Sequence, residues 1–304
     1  MTQATQKYNR SKIALWILSA LLLILFPACL IIGSVNIPFN EVLNILIGNE
    51  ATRKTWEIIV IETRLPMACT AMLAGAALSV AGLLLQTTFD NPLAGPSILG
   101  VSTGSSLGVA IVMLALGGSI GHSLGSYVSI LAGALLGAGI IILTLLAFSS
   151  IVKSSIMLLI IGILVSHLAS SAISLLNFFS TQEGVHSFVI WGLGNFSGVT
   201  FERLPIFASL IIIALGLSLL LVKPLNALLL GTRYAENLGV NIRATRNKLL
   251  ILSGVLTAVV TAFCGPIGFI GLIVPYGEEG LLKSELQAYS TMHIADDTPE
   301  NKMF

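Results

Sequence analysis

Apolar stretches of about 20 residues recur along this chain, each long enough to cross a hydrocarbon core of roughly 30 Å at about 1.5 Å per residue. Of its 304 residues 55% are hydrophobic and only 10% charged, against roughly 25% charged in an ordinary soluble domain. These proportions exclude a water-soluble globule and predict an all-α, polytopic helical membrane protein. Hydropathy places spans at about 13–32, 65–86, 97–116, 126–148, 156–179, 204–222 and 249–264, with a short one near 267–275. Pro38 to Gly48 has apolar residues at helical spacing but is too short to cross, so an interfacial helix is expected there. Val185 to Trp191, followed by Gly192, Gly194 and Gly198, reads as a second short piece at or dipping into the interface.

Charge is informative only through its distribution, because the net charge of +1 points to neither nucleic acid nor an acidic substrate. With the N-terminus cytoplasmic, the inner segments carry Lys7, Arg10, Lys12, Lys153, Lys223, Arg233, Arg243, Arg246 and Lys248. The outer loops then carry Arg53, Lys54, Arg64 and Arg203, accompanied by Glu41, Glu50, Glu57, Glu62, Glu183 and Glu202. The positive-inside rule favours this orientation. The run Ile13 to Ile32 is too long for a signal-peptide core and lacks a small-residue cleavage site, so it is expected to be a retained span. Cys29, Cys69 and Cys264 show no CxxC spacing and read as packing residues, with no metal site expected. From Tyr276 to Phe304 the chain turns polar and charged; Glu278 to Tyr289 has the pattern of an amphipathic helix.

Small residues recur at i, i+4 spacing: Gly100, Gly104 and Gly108; Ala71, Gly75 and Ser79; Gly133 and Gly137. Such stripes let helix backbones approach closely in a medium where the hydrophobic effect drives no association. On the fifth span Ser166, Ser170 and Ser174 share a stripe, with His167 and Ser171 beside it and Asn177 one turn on. This face suits either a polar conduit or interhelical hydrogen bonding, and His167 is either a protonation site or a neutral, bonded histidine. Asp90 to Pro96 (DNPLAGP) and Gly265 to Gly271 (GPIGFIG) read as broken backbone, either pathway elements or plain loops. Leu230 to Val240 holds about two helical turns closed by Gly239, suited either to docking in a partner's groove or to a solvated connector. There is no GxxxxGK[ST] phosphate loop and no catalytic carboxylate pair or serine–histidine arrangement on a common face. Transport energised by nucleotide therefore requires another chain to hydrolyse it, and no cofactor is expected.

Several motifs in order resemble the iron-siderophore, haem and cobalamin (FecCD-type) permeases of ABC importers. They are Arg64-Leu65-Pro66, Leu73 to Leu78 (LAGAAL), Gln86, Asn91 to Ala94 (NPLA) and Leu99 to Gly104 (LGVSTG), then Trp191 to Gly194 (WGLG), Leu230 to Val240, and Gly265 to Pro275. The resemblance covers residues 13–275 and implies a type II importer permease bundle, with about eight of the usual ten spans present. It implies a permease domain over 1–275 and a polar, non-family tail over 276–304. It further implies a second permease chain, usually an identical copy, two cytoplasmic ATP-binding subunits, an extracytoplasmic substrate-binding protein, and location in a bacterial inner membrane. The segment matching Gly231, Thr232, Arg233, Ala235, Glu236, Leu238 and Gly239 is the family's ATPase-coupling helix. Asn91, Pro92 and Leu93 match its cytoplasmic gate, Ser154 and Ser155 approximate a second gate strand, and Arg64 matches an arginine that docks the binding protein. The family's second arginine in that motif falls at Met67 here, which implies weaker or rearranged docking. Family members follow Ile-Val-Pro with a histidine and two more spans; here Tyr276 begins the polar tail, and a truncation, frameshift or join is the expected cause.

Two other functions fit the residues less fully: an ion-coupled secondary transporter using His167 and the serine face, and a truncated permease fragment that does not transport.

Overall fold

The computed structural model describes residues 2–49, 51–115, 124–152 and 154–275. Glu50, Lys153 and the polar tail over 276–304 lie outside the described residues. Among those described, the regular structure is helical throughout, in the order α1 (Thr2–Ile31), α2 (Phe39–Ile47), α3 (Lys54–Ile58), α4 (Leu65–Phe89), α5 (Val101–Ala110), α6 (Leu124–Ile151), α7 (Ser155–Phe179), α8 (Gln182–Gly192), α9 (Leu204–Leu219), α10 (Val222–Leu229), α11 (Thr232–Asn237) and α12 (Ile242–Cys264). A π-helical stretch, Ile59–Arg64, joins α3 to α4, making one continuous helix of 36 residues, Lys54–Phe89. The second span thus starts well before residue 65, and at about 1.5 Å per residue the helix exceeds a hydrocarbon core of roughly 30 Å.

Four helices among the described residues are long and apolar enough to cross: Lys54–Phe89, Tyr127–Ile151, Ser155–Phe179 and Ile242–Cys264. A fifth crossing forms if α9 and α10 are taken together, although they bend by 55° where a straight span over 204–222 was expected. Trp16–Ile31 and Val101–Ala115 are shorter apolar helices. The third expected span loses its first turn because residues 97–100 are turns and Gly100 adopts φ 83°, in the left-handed region. The short span near 267–275 is helical only over residues 270–275.

α12 is the central helix, with 78% of its apolar window buried, whereas α7 at 17% lies on the outside of the chain. Leu249, Leu256, Val260 and Phe263 of α12 pack with Ala74, Ala77, Leu78 and Ala81 of α4 and with Phe207 and Ile211 of α9. The small alanines of α4 let the α12 side chains fill the space between the two helices. Cys264 joins this core as a packing residue, but Cys29 is exposed and Cys69 only partly covered, contrary to the expectation for those two.

The closest backbone approach is between α5 and α6. Gly104 faces Gly137 and Gly108 faces Gly133, so reciprocally that a Cβ on any of the four would collide with the opposite helix; a Cβ on Gly133 would stand 2.9 Å from the Gly108 carbonyl oxygen. This is the approach that small-residue stripes permit. The stripe Ala71, Gly75, Ser79 makes no such contact: nothing lies within 4 Å of a Cβ placed on Gly75. The face of α4 that packs is the neighbouring one, through Ala74, Leu78 and Gly82, because those residues point toward α12 and residue 271. Gly108→Leu is expected to force α5 and α6 apart and destabilise the bundle by about 1–3 kcal/mol or more, read as a lower detergent-phase Tm, whereas Gly75→Leu leaves Tm within a degree or two.

At the end of the bundle where α1 stops, the short helix α2 lies against the long helix. Its Val42 and Ile45 are buried with Leu30, Ile37, Val60 and Ala68, while Phe39 and Ile47 remain exposed. Gly48 (φ 88°) closes the helix in the left-handed conformation. Thr52 then clips the loop back: its backbone N–H and hydroxyl donate to the two Glu41 carboxylate oxygens at 3.2 and 2.5 Å. These hydrogen bonds hold the Glu41 carboxyl below its ordinary value. A depressed carboxylate pKa means the clip is intact at neutral pH and is lost as pH falls through the folded-state value. Thr52→Val is expected to move the Glu41 pKa up toward that of a free carboxylate, measured by NMR titration of a labelled side chain.

Candidate functional site

The two glycine- and proline-rich breaks lie far apart in sequence, Pro96 and Gly271 standing 175 positions from one another, yet the fold packs them together. The first begins where α4 ends at Asp90, whose φ of 47° is left-handed. Asn91 Oδ1 accepts from the Leu93 N–H at 2.9 Å and the Asn91 carbonyl accepts from the Ala94 N–H at 3.0 Å, making a compact Asx-type turn. Leu93 projects outward, 60% exposed, while Ala94, Gly95 and Pro96 are buried. The chain then turns back along the bundle, with Leu99 against Gly162 and Gly100 against Ser166 of α7.

The second break starts at Gly265 (φ 77°), directly against the Trp191-Gly192-Leu193-Gly194 segment: a Cβ there would stand 2.6 Å from the Trp191 carbonyl oxygen. The Asn195 N–H donates to the Cys264 carbonyl at 2.7 Å. Further on, Gly271 lies in backbone contact with Gly82 of α4 and against Pro96, and Leu272 lies beside Gly95. Gln86 of α4, 1% exposed, donates its Nε2–H to the Leu272 carbonyl at 3.1 Å. The breaks are thus buried in protein at Ala94, Gly95, Pro96, Gly265 and Gly271, while Gly268 and Phe269 are exposed; burial there lets protein satisfy polar groups that lipid cannot. Sequence reading identified each break but not their meeting, nor Gly82 as the contact, because a single glycine in an apolar helix carries no signal of what faces it.

α7 divides the expected serine face. Ser154 caps its N-terminus, accepting from the Met157 N–H at 3.4 Å, and Ser155 is the first helical residue. Ser166 is half-buried and donates to the Ile98 carbonyl at 3.5 Å. Ser170 and Ser174 are exposed, as are His167 and Ser171. The single conduit stripe through Ser166, Ser170 and Ser174 therefore splits, since Ser166 belongs to the contact with the 91–100 loop. The Ser174 hydroxyl donates to the Ser170 carbonyl at 3.1 Å and that of Ser171 to the His167 carbonyl at 2.9 Å.

α11 stands apart from the bundle on one anchoring residue. Ala235 is fully buried, whereas Gly231, Thr232, Arg233, Tyr234, Glu236, Leu238 and Gly239 are exposed. The Val240 N–H donates to the Ala235 carbonyl at 3.0 Å and the Gly239 N–H to that of Glu236 at 2.9 Å, with Gly239 at φ 81°. This is a Schellman closure, which needs a residue free to adopt the left-handed region, and it agrees with the C-cap expected at Gly239.

Arg64 is 7% exposed, and its guanidinium donates to the carbonyls of Leu30, Ile31 and Val35 at 2.8, 2.7 and 2.5 Å. The cation thereby closes the C-terminus of α1, where carbonyls lack helical partners and the dipole favours positive charge. Three of its N–H donors are thus given to backbone carbonyls of the chain itself, a structural role that stands beside the docking one the resemblance implies. Arg246 does similar work for α6, reaching the Val152 carbonyl at 3.4 Å, while Ser149 donates to Asn247 Oδ1 at 2.8 Å. Arg203 stacks over the Tyr127 ring at 3.6 Å and ties the loop before α9 to α6. Among the described residues no three His, Cys, Asp or Glu side chains gather as a metal site.

A bundle of uneven helices with irregular backbone buried at its centre and a short capped helix projecting from one end defines a membrane permease. The chain matches the FecCD transport family over residues 21–288. It is 34% identical over 274 residues to the hemin transport system permease protein HmuU of Yersinia pestis, covering 87% of this chain and 78% of that protein. It is 35% identical over 221 residues to the vitamin B12 import system permease protein BtuC of Citrobacter koseri, covering 72% of this chain and 65%, just under two thirds, of that relative. Among solved structures, a metal-chelate type ABC transporter in an inward-facing conformation superposes with a TM-score of 0.74 at 31% identity, covering 88% of this chain and 81% of that one. The chain belongs to the FecCD transport family, and it is a permease subunit of an ABC importer. Membership overturns the ion-coupled secondary transporter reading. Arg64→Met is expected to destabilise the protein by about 3 kcal/mol, given about 1.5–3 kcal/mol for each hydrogen bond to a charged group and partial compensation on losing the buried charge, seen as a lower Tm; an arginine used only for docking would leave Tm unchanged.

Proposed function

We propose that this permease carries a metal chelate, an iron siderophore, haem or a cobalamin, inward across a bacterial inner membrane by alternating access. It works paired with a second permease chain, an identical copy in the simplest case, and receives its cargo from an extracytoplasmic binding protein. ATP hydrolysis belongs to separate cytoplasmic subunits, and the N-terminus of this chain faces the cytoplasm. The permease domain spans residues 1–275, and the polar segment 276–304 stands outside it. Support for the substrate class comes from the hemin and vitamin B12 permeases to which the chain is similar.

The observation that carries this reading is α11. Six residues closed by a Schellman motif, with Arg233, Tyr234, Glu236 and Leu238 all turned outward and only Ala235 held by the bundle, form a rigid exposed knob. Leu238 and Tyr234 are 59% and 50% exposed, an apolar and an aromatic anchor suited to a groove on a partner. Gly231 and Gly239 fix its ends, and Thr232 begins the helix. Asn91, Pro92 and Leu93 form the cytoplasmic gate, with Ser154 and Ser155 beside it. The exposed face of α7 carrying Ser170 and Ser174 faces the central pathway, with Ser166 holding the loop behind it. Motion of α11 driven by ATP binding reaches this gate through α12 and the buried contact of the two breaks on α4.

Leu238→Glu is expected to abolish co-purification of the ATP-binding subunits and ATP-dependent uptake, while changing Tm little because the side chain is largely exposed. Retention of the ATPase by Leu238→Glu and Tyr234→Ala together would sink the coupling role. Ala235→Asp is the weaker test, since it buries a charge and unfolds the segment.

A further inference from the structure

His167 is left without a role by the coupling and gating elements. It is the middle residue of α7, Ser155–Phe179, so at about 1.5 Å per residue it stands roughly 18 Å from either end of the helix. It is exposed on the outer side of this chain, and its ring has no hydrogen-bond partner among the described residues. Ser170, Ser171 and Ser174 share its exposed side of α7, and the hydroxyl protons of Ser171 and Ser174 are already given to backbone carbonyls of the same helix. An unpaired imidazole at mid-membrane depth is costly against lipid and belongs in a water-filled cavity or pathway. The patch has few free protons to offer, so the imidazole nitrogen is its distinctive group, and a neutral imidazole is a common metal ligand.

We propose that His167 is a transient axial ligand for the cargo metal, and that this permease therefore favours chelates whose metal has an exchangeable axial position, of the metalloporphyrin class, over coordinatively saturated chelates such as ferric trihydroxamates. The step is ligand exchange: a ring nitrogen lone pair bonds the metal as a weakly held axial water leaves, with no change of oxidation state. The proposal rests on the reading of the α7 face as pathway-lining. A soft, reversible bond of this kind holds a bulky planar cargo midway without a fitted pocket.

The test uses the full permease with its ATP-binding subunits in lipid nanodiscs, titrated with ferric protoporphyrin and followed by its Soret band and EPR, against empty nanodiscs. The expected result is a nitrogen-ligated ferric spectrum that His167→Ala removes, with binding weakened about tenfold or more, and that His167→Met replaces with a sulfur-ligated spectrum. Saturated ferric trihydroxamate should bind and move equally in all three proteins. A spectrum unchanged in His167→Ala, or equal loss of both cargoes, overturns the proposal. Importer function is read separately in proteoliposomes supplied with the binding protein: ATP-dependent uptake of the trihydroxamate alone leaves the importer reading standing while this inference falls, and absence of any ATP-dependent uptake of either cargo removes both.

Discussion

Everything in this bundle depends on how closely two helix backbones can approach in a medium that offers no hydrophobic drive for association. Lipid tails are as apolar as leucine, so helices gain by dispersion contact over a close interface. Gly104 and Gly108 of α5 against Gly137 and Gly133 of α6 provide that interface, with backbone against backbone. Because α5 is short and follows a turned segment, this contact also fixes the depth at which the 91–100 loop sits beside α7. The position of the 91–100 loop is thereby a consequence of four missing Cβ atoms.

A second constraint acts on the irregular backbone. Non-helical chain at membrane depth must have its N–H and C=O groups satisfied by protein. Pro96, Gly271, Gly82 and Gln86 meet this by nesting two breaks against one helix, with the Gln86 amide holding the Leu272 carbonyl. The same logic, applied at helix ends, places Arg64 under the final carbonyls of α1 and Arg246 under those of α6. Helices meeting at nested, glycine-lined breaks are the kind of packed elements whose discrete rearrangement the proposed alternating access would use. α11 sits at one end of that body as a capped, outward-facing handle.

Much of this was legible in the chain. The all-helical membrane class, the packing stripes of α5 and α6, the short helix α2 and the Gly239 cap all follow from local rules of length, periodicity and backbone permissiveness. The reading went astray where a local signal had more than one physical use. Ala71, Gly75 and Ser79 have the spacing of a packing stripe, yet nothing approaches Gly75, because rotation of α4 is set by the larger face through Ala74, Leu78 and Gly82. The start of the second span was placed at residue 65 because Lys54, Glu57, Glu62 and Arg64 lower its hydropathy, although helix continues through them. The bonds from Arg64 to the carbonyls of Leu30, Ile31 and Val35 carry no signal in sequence, because they join residues about 30 positions apart.

Which segments are apolar enough to enter a membrane, where the backbone breaks and which glycines could permit close approach are legible in the chain alone, since these depend on side-chain transfer energies and φ limits that are properties of single residues and their neighbours. Packing between distant segments set which break meets which, that Ser166 turns inward while His167, Ser170 and Ser174 turn out, and that Arg64 closes the end of α1. Those outcomes depend on helix rotation and depth, quantities settled by packing between segments far apart in sequence and therefore written in no local pattern.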